Sequence, residues 1–233
     1  NGERGIPQGS PLSPLLANVA LNDLDHALGK GNGYLTYVRY LDDMVVLTFN
    51  SKRGRRWAER ALERIREEAG AIGVELNTEK TRTVLLAEKG TMFAFLGFEF
   101  RWKPKAPTAK AYAHTSPRKK KLTEVLHKVR DVLRHNQHLP VQAVVEKINP
   151  ILRGWVNYFR VGNSSRAFDK VKFHVERKVR RWAVKKLKRK GFGWTRWSSD
   201  VVYKTWGLFR DYRIRYYGAA KASVLPGGII TPM

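Results

Sequence analysis

The chain has no cysteine among its 233 residues. That removes disulfide frameworks, thiolate metal sites and cysteine nucleophiles together, and it leaves the redox compartment open. No apolar run approaches the roughly 18–20 residues needed to span a bilayer. The opening residues, NGERGIPQGS, lack the charged head, apolar stretch and small-residue cleavage site of a secretory signal. The expectation is a soluble protein with no membrane partner, not secreted, cytoplasmic in a bacterium or organellar. Acidic residues are scarce: 20 Asp and Glu stand against 45 Lys and Arg, a net charge of +25 and a pI near 10.5. With 42% apolar and 11% aromatic residues a real core can still form. At about 150 residues per domain, one large or two small domains are expected. The chain has no initiator Met and opens on a Gly/Pro-rich segment, so it reads as a piece of a longer one.

The charge is unevenly distributed. Residues 1–100 hold 13 of the basic and 13 of the acidic side chains, so the whole excess of +25 falls after Phe100. Six of the seven Trp residues also follow that boundary, with Trp57 alone before it. Cations interleaved with aromatics suit a polyanion whose phosphates are neutralised and whose unpaired bases stack. A membrane surface would accept the same charge, and solvated basic helix faces would need no partner at all.

The first half mixes strand and helix. Ser13 and Pro14 read as N-cap and first helical position of a helix to about Leu28, ended by Gly29, Gly31 and Gly33. Residues 34–49 form two β-rich arms around Asp42 and Asp43, a hairpin with a carboxylate pair at its tip. Trp57, Ala61, Ile65 and Ala69, four apart, mark a helix over 55–72. Residues 74–76 and 82–86 read as short strands around the turn Asn77–Lys80, and residues 93–102 as a further strand or hairpin. The Pro/Ala/Lys-rich stretch 103–116 reads as a linker. Beyond it Ser116 and Pro117 open a helix, and apolar stripes run from Leu122 to Leu133, from Val141 to Phe159 with an interruption at Pro150, and from Phe168 to Trp182. The third stripe is wrapped in Lys and Arg. Residues 199–217 read as another helix, and the Pro/Gly tail as loose. The fold class is α+β, with a helical second domain.

Two adjacent carboxylates repel each other unless a cation lies between them. Flanked by Tyr40-Leu41 and Met44–Leu47, this pair emerges from strands that look buried. Rigid hard oxygen donors suit Mg2+, and two such ions would assist phosphoryl transfer, although two carboxylates are fewer than two metals normally need.

Tyr40-Leu41-Asp42-Asp43 resembles the YxDD box of reverse transcriptases. Upstream, Gly5–Ser10 and Ser13–Asn18 resemble their PQG-to-SPLLAN segment; downstream, Gly73–Thr81 and Phe95-Leu96-Gly97-Phe98 resemble the next two blocks, in family order. Ile151–Phe159 (ILRGWVNYF) resembles the RGWxNYF box of the thumb, or maturase domain X, of group II intron proteins. The resemblance covers about residues 1–218. It implies a partial right-hand polymerase palm, an antiparallel sheet with helices over 1–102, then the linker, an α-helical thumb or maturase domain over 117–218, and a flexible tail over 219–233.

Carried over by position, the resemblance implies that Asp42 and Asp43 are catalytic metal ligands for Mg2+. Pro7, Gln8, Gly9 and Lys80 would face nucleotide and template, though Lys80 as a surface lysine after a turn has an equally ordinary reading. Leu96 and Gly97 would form the primer grip. Arg118, Lys119, Lys120, Arg153, Asn157, Arg177, Arg180, Arg181, Lys185 and Lys188 would bind RNA. The implied partners are group II intron RNA, an RNA template with a DNA primer, dNTPs and an N-terminal half of the same enzyme. The activity implied is RNA-directed DNA polymerase with intron-splicing maturase function. The family's first catalytic Asp lies upstream of the PQG block, so the isolated piece is expected not to polymerise. Leu41 stands where the group II pattern usually has Ala, and with no Cys in these residues the Cys-bearing endonuclease module of some relatives is expected to be missing. The rival expectation is an RNA-binding splicing maturase without polymerase activity.

Overall fold

The computed structural model describes residues 11–29, 34–88, 90–104, 111–191, 193–215 and 228–232. They fall into two units. The first holds the described residues up to Leu96, with 100–104, 111–113 and 228–232; the second holds 97–99 and 114–215.

The first unit opens with α1 (Ser13–Ala20) and α2 (Asn22–Gly29). Strands β1 (Leu35–Tyr40) and β2 (Asp43–Phe49) then pair antiparallel from Leu35↔Thr48 to Tyr40↔Asp43, leaving Leu41 and Asp42 as a two-residue turn. β2 is apolar on both faces because both are covered. Met44 and Val46 pack with Leu24 and Leu28 of α2 and with Ala61 and Ile65 of α3 (Lys52–Ala71). Val45 packs on the opposite side with Val84, Leu86 and Phe93. Burying Ile65 completely contributes about 1.5–3 kcal/mol. Ser51 caps α3 by accepting a 3.0 Å hydrogen bond from the Gly54 amide. α3 lies so close to β2 that a Cβ at Gly54 would stand 1.8 Å from the Phe49 carbonyl oxygen. β3 (Val84–Leu85), β4 (Met92–Phe95), β5 (Phe98–Pro104) and β6 (Ala111–Pro117) follow, and β7 (Gly228–Pro232) pairs antiparallel with β2 and β3. The sheets are ordered β1-β2-β7-β3 and β4-β5-β6.

The second unit is built on α4 (Lys119–His135), α5 (Val141–Phe159) and α6 (Ser165–Lys186). Their stripes meet in one seam in which Val129, Val144, Ile148, Leu152, Val171 and Val175 are fully buried. Below it Glu176 accepts hydrogen bonds from the buried Arg180, from Ser199 Oγ at 3.3 Å and from Tyr203 OH at 2.9 Å. Burial first, then the Glu176 charge, raises the Tyr203 phenol far above its usual range. This network fixes α6 to the segment that follows it.

Several expected boundaries move. The first helix breaks at Leu21, where Asn22 and Asp23 are weak helix formers; Leu12, not Ser13, occupies the N-cap. Residues 74–76 form no strand. The expected linker 103–116 carries the end of β5 and most of β6, whose backbone is satisfied by pairing and by Asn163, which accepts from the Thr115 amide at 3.2 Å. Pro117 therefore ends a strand, and Arg118 caps α4. Pro150 does not interrupt α5; the buried neighbours Ile148 and Leu152 outweigh a proline cost of about 3 kcal/mol. Residues 199–217 are not one helix. A π-helical turn at Val201–Thr205 is followed by irregular chain held by Asn149, which accepts from the Phe209 amide at 2.8 Å and donates to the Gly207 carbonyl at 2.9 Å. Within the expected loose tail, residues 228–232 form β7. No helix among the described residues is long and apolar enough to cross a membrane.

Three consequences are measurable by urea unfolding. Gly54→Ala forces α3 from β2 and is expected to destabilise by about 1–3 kcal/mol. Gly70→Ala, where a Cβ meets nothing, is expected to stabilise by about 0.5–1 kcal/mol through helix propensity. Glu176→Gln leaves the Arg180 cation uncompensated in the interior and is expected to cost about 3 kcal/mol.

Candidate functional site

The carboxylate pair sits where antiparallel pairing ends. Tyr40 and Asp43 are the last paired residues, and Leu41 turns the chain with φ +56°. That left-handed conformation costs a residue with a Cβ about 1–2 kcal/mol, so something else must hold it. Arg39 does so. Its Nη1 donates to the Leu41 carbonyl at 2.9 Å and to Asn18 Oδ1 of α1 at 3.1 Å, while Nε donates to Asp25 Oδ1 of α2 at 2.7 Å. Nη2 completes a forked pair with the other Asp25 oxygen, and Tyr37 OH donates to Asp25 at 3.1 Å. A planar guanidinium suits this multiple grip, and a lysine could not reproduce it. No sequence motif singles out Arg39, Asp25 or Tyr37. The signal was available in the alternation of β1, which puts Tyr37 and Arg39 on one half-buried face and leaves an arginine there in need of an anion.

Asp42 and Asp43 are both exposed at the tip. Burial chiefly, and then the adjacent Asp42 charge, raises the Asp43 carboxyl above its ordinary range, while Lys80 opposes the shift. The structure thus brings Lys80 within electrostatic reach of the pair. Asn77 shapes the Lys80 turn, its Oδ1 accepting from the Lys80 amide at 3.1 Å. Hard carboxylate oxygens under mutual repulsion fit a divalent cation such as Mg2+. Among the described residues no third His, Asp or Glu joins them. Leu96 and Gly97 form the β4–β5 turn, with φ +47° and +77°. Positive φ at both central positions is the hairpin geometry that favours glycine. Pro7, Gln8 and Gly9 lie outside the described residues.

The expected RNA contacts are mostly on the surface. Arg118, Lys119 and Lys120 are exposed and open α4 together with Lys121, and no acid stands in that first turn. Cations at the positive end of a helix dipole oppose its field. Arg153 and Asn157 are exposed four residues apart on α5; Arg177, Arg181 and Lys185 form an exposed row on α6, and Lys188 follows it. Burial, then Arg130, Arg177 and Arg181, push the Lys178 ammonium below its ordinary range. Arg180 is a correction. It is 1% exposed and paired with Glu176, because its position falls on the seam side of α6 and not among the outward cations.

The Arg39 fork holds the Asp25 carboxyl below the usual carboxylate range. The unfolded chain therefore binds that proton more readily, so the stability supplied by the pair is complete above about pH 4 and is lost as pH falls through the folded-state value. Asp25→Asn is expected to lower the urea midpoint at neutral pH and to flatten its decline on acidification, read from midpoints between neutral and strongly acidic buffers.

Both units have counterparts in known families. Residues 1–100 match the reverse transcriptase (RNA-dependent DNA polymerase) family model, and residues 122–199 match the group II intron, maturase-specific domain. The chain is also similar to the retron Mx162 reverse transcriptase of Myxococcus xanthus, 36% identical over 99 residues. That match takes in 39% of this chain and 20% of the relative, so the chain spans about a fifth of its length. Each family match takes in less than half of the chain, and together, in this order, they cover most of it.

Proposed function

We propose that this chain supplies the palm hairpin and the RNA-gripping helical unit of an RNA-directed DNA polymerase of group II intron type, which also acts as a splicing maturase. The observation that carries the reading is the Asp42–Asp43 pair, held on a strained turn by Arg39 and Asp25 and followed in the same chain by a maturase-specific unit with exposed cations. Asp42 and Asp43 would hold Mg2+, completed by a carboxylate from outside the described residues. When bound, the ion supplies Lewis acidity for nucleotidyl transfer. In that reaction a primer hydroxyl oxygen bonds to the α-phosphorus of a dNTP as the bond to pyrophosphate breaks. The chain's own part is to fix the two carboxylates by the Arg39 clamp and to set Lys80 where it offsets phosphate charge. Leu96-Gly97 would face the primer, Pro7, Gln8 and Gly9 the template and nucleotide, and the cations of α4, α5 and α6 the intron RNA and the template–primer duplex.

Cations concentrated in the second unit also favour a second reading, a splicing protein whose palm is only scaffold. Primer extension on an RNA template with Mg2+, using the full-length gene product that contains these 233 residues, separates the two. Asp42→Asn or Asp43→Asn is expected to slow extension by roughly a thousandfold while intron binding persists. Arg39→Lys keeps the charge and loses the fork; it is expected to lower kcat by about ten- to a hundredfold with little change in KM for dNTP. Extension unchanged in both Asp variants would remove the catalytic assignment, and no extension by the wild type with tight intron binding would favour the scaffold reading.

A further inference from the structure

Phe173 and Trp194, two of the exposed aromatics of the second unit, face each other outside its core. Phe173 on α6 is 50% exposed and Trp194, in the loop after α6, is 43% exposed; their rings lie 6.3 Å apart at an interplanar angle of 21°. The loop is tightly built. Gly193 has φ +80°, and a Cβ there would approach Trp197 Cε3 to 2.7 Å and Val184 Cγ2 to 3.0 Å. Trp197 donates its amide to the Gly193 carbonyl at 3.0 Å and is itself buried against Trp206. Trp194 is therefore presented from a fixed backbone.

Beneath it the Arg180 guanidinium lies 4.4 Å from the Trp194 ring centre. Arg180 is 1% exposed, and among the described residues its Nε and Nη1 have no hydrogen-bond partner. A buried cation braces the ring. Beside the indole is a cavity of about 530 Å3 lined by Lys190, Gly191, Gly193, Trp194, Thr195 and Arg196. Among the described residues its lining has two cations and no acid. On the same helix face Lys170 and Arg177, three residues before and four after Phe173, are exposed together with the acidic Asp169, four before it, which leaves a net positive charge.

We propose that Trp194 and Phe173 form a stacking site for an unpaired base of single-stranded RNA, with Lys190 and Arg196 on the adjoining phosphates. The inference rests on the RNA-binding reading above and deepens it. Half-exposed rings in a basic rim match the alternation of base face and phosphate along a single strand. A duplex does not match, because its base faces are already stacked. A protein partner would have to bring acids to this rim, and a phosphate alone would leave the rings exposed.

The test uses the full-length gene product and two fluorescent probes with equal numbers of phosphates, a short oligouridylate and an abasic oligomer, followed by anisotropy across a salt series. Trp194→Ala is expected to weaken oligouridylate binding about tenfold, leave the abasic probe unchanged and keep the salt slope. Lys190→Ala is expected to weaken both probes and reduce the slope by about one. Equal loss on both probes, or no loss on either, overturns the stacking site. Failure of the wild type to bind either probe removes the RNA-binding reading instead. Should Trp194→Ala not fold, wild-type protein photocrosslinked to 5-bromouridine RNA decides: adducts at Trp194 or Phe173 support the site, and adducts only elsewhere overturn it.

Discussion

The register of β1 against β2 is the constraint on which the first unit depends. β2 is buried on both faces, so Met44 and Val46 must meet the helices while Val45 meets Val84 and Phe93. A slip of one residue would exchange these faces, sending the small Val45 where Met44 and Val46 fit. It would also shift Asp42 and Asp43 relative to the end of the ladder, where Asp43 now pairs with Tyr40 and Asp42 stands in the turn. Core packing and the placement of charge are thus set by the same choice, and the Arg39–Asp25 fork locks it from the helix side. Strain at Leu41 is tolerable because the surrounding contacts leave the turn no alternative register.

A different balance governs the second unit. Its helices must coexist with strong positive self-repulsion, and they do so by separating functions along each helix. Valines fill a continuous seam, while Lys and Arg occupy the outward rows, where water and salt screen them. The buried exceptions show the same logic. Arg180 enters the interior only with Glu176 beside it, and Glu176 in turn gathers Ser199 and Tyr203. One acid thereby serves both charge neutralisation and the attachment of the segment after α6.

Much of this was legible in the sequence because periodicity is local. The hairpin with its Asp pair, the Ala61–Ile65–Ala69 stripe and the three long helices follow from spacing alone, and the family boxes stand where the folded chain puts two hairpin turns and a helix. What escaped had non-local causes. β6 and β7 are strands by pairing, not by their Pro-, Ala- and Gly-containing composition. Asn149 holds residues 207–209 across more than fifty positions of sequence, so no window could show why a helix stops there. Arg39 looked like any charge beside a motif until Asp25 was placed opposite it. Arg180 was read as outward because its neighbours Arg177 and Arg181 are, although its own position falls on the seam side.

Pro150 has a wider meaning than a tolerated irregularity. Lacking an N–H, it leaves the Glu146 carbonyl without its partner in the helix, and both Pro150 and Glu146 lie on the exposed side of α5. Water can satisfy that oxygen; an apolar cover cannot. The proline therefore selects among everything that could settle on this side of α5. Whatever binds over it must bring a hydrogen-bond donor of its own.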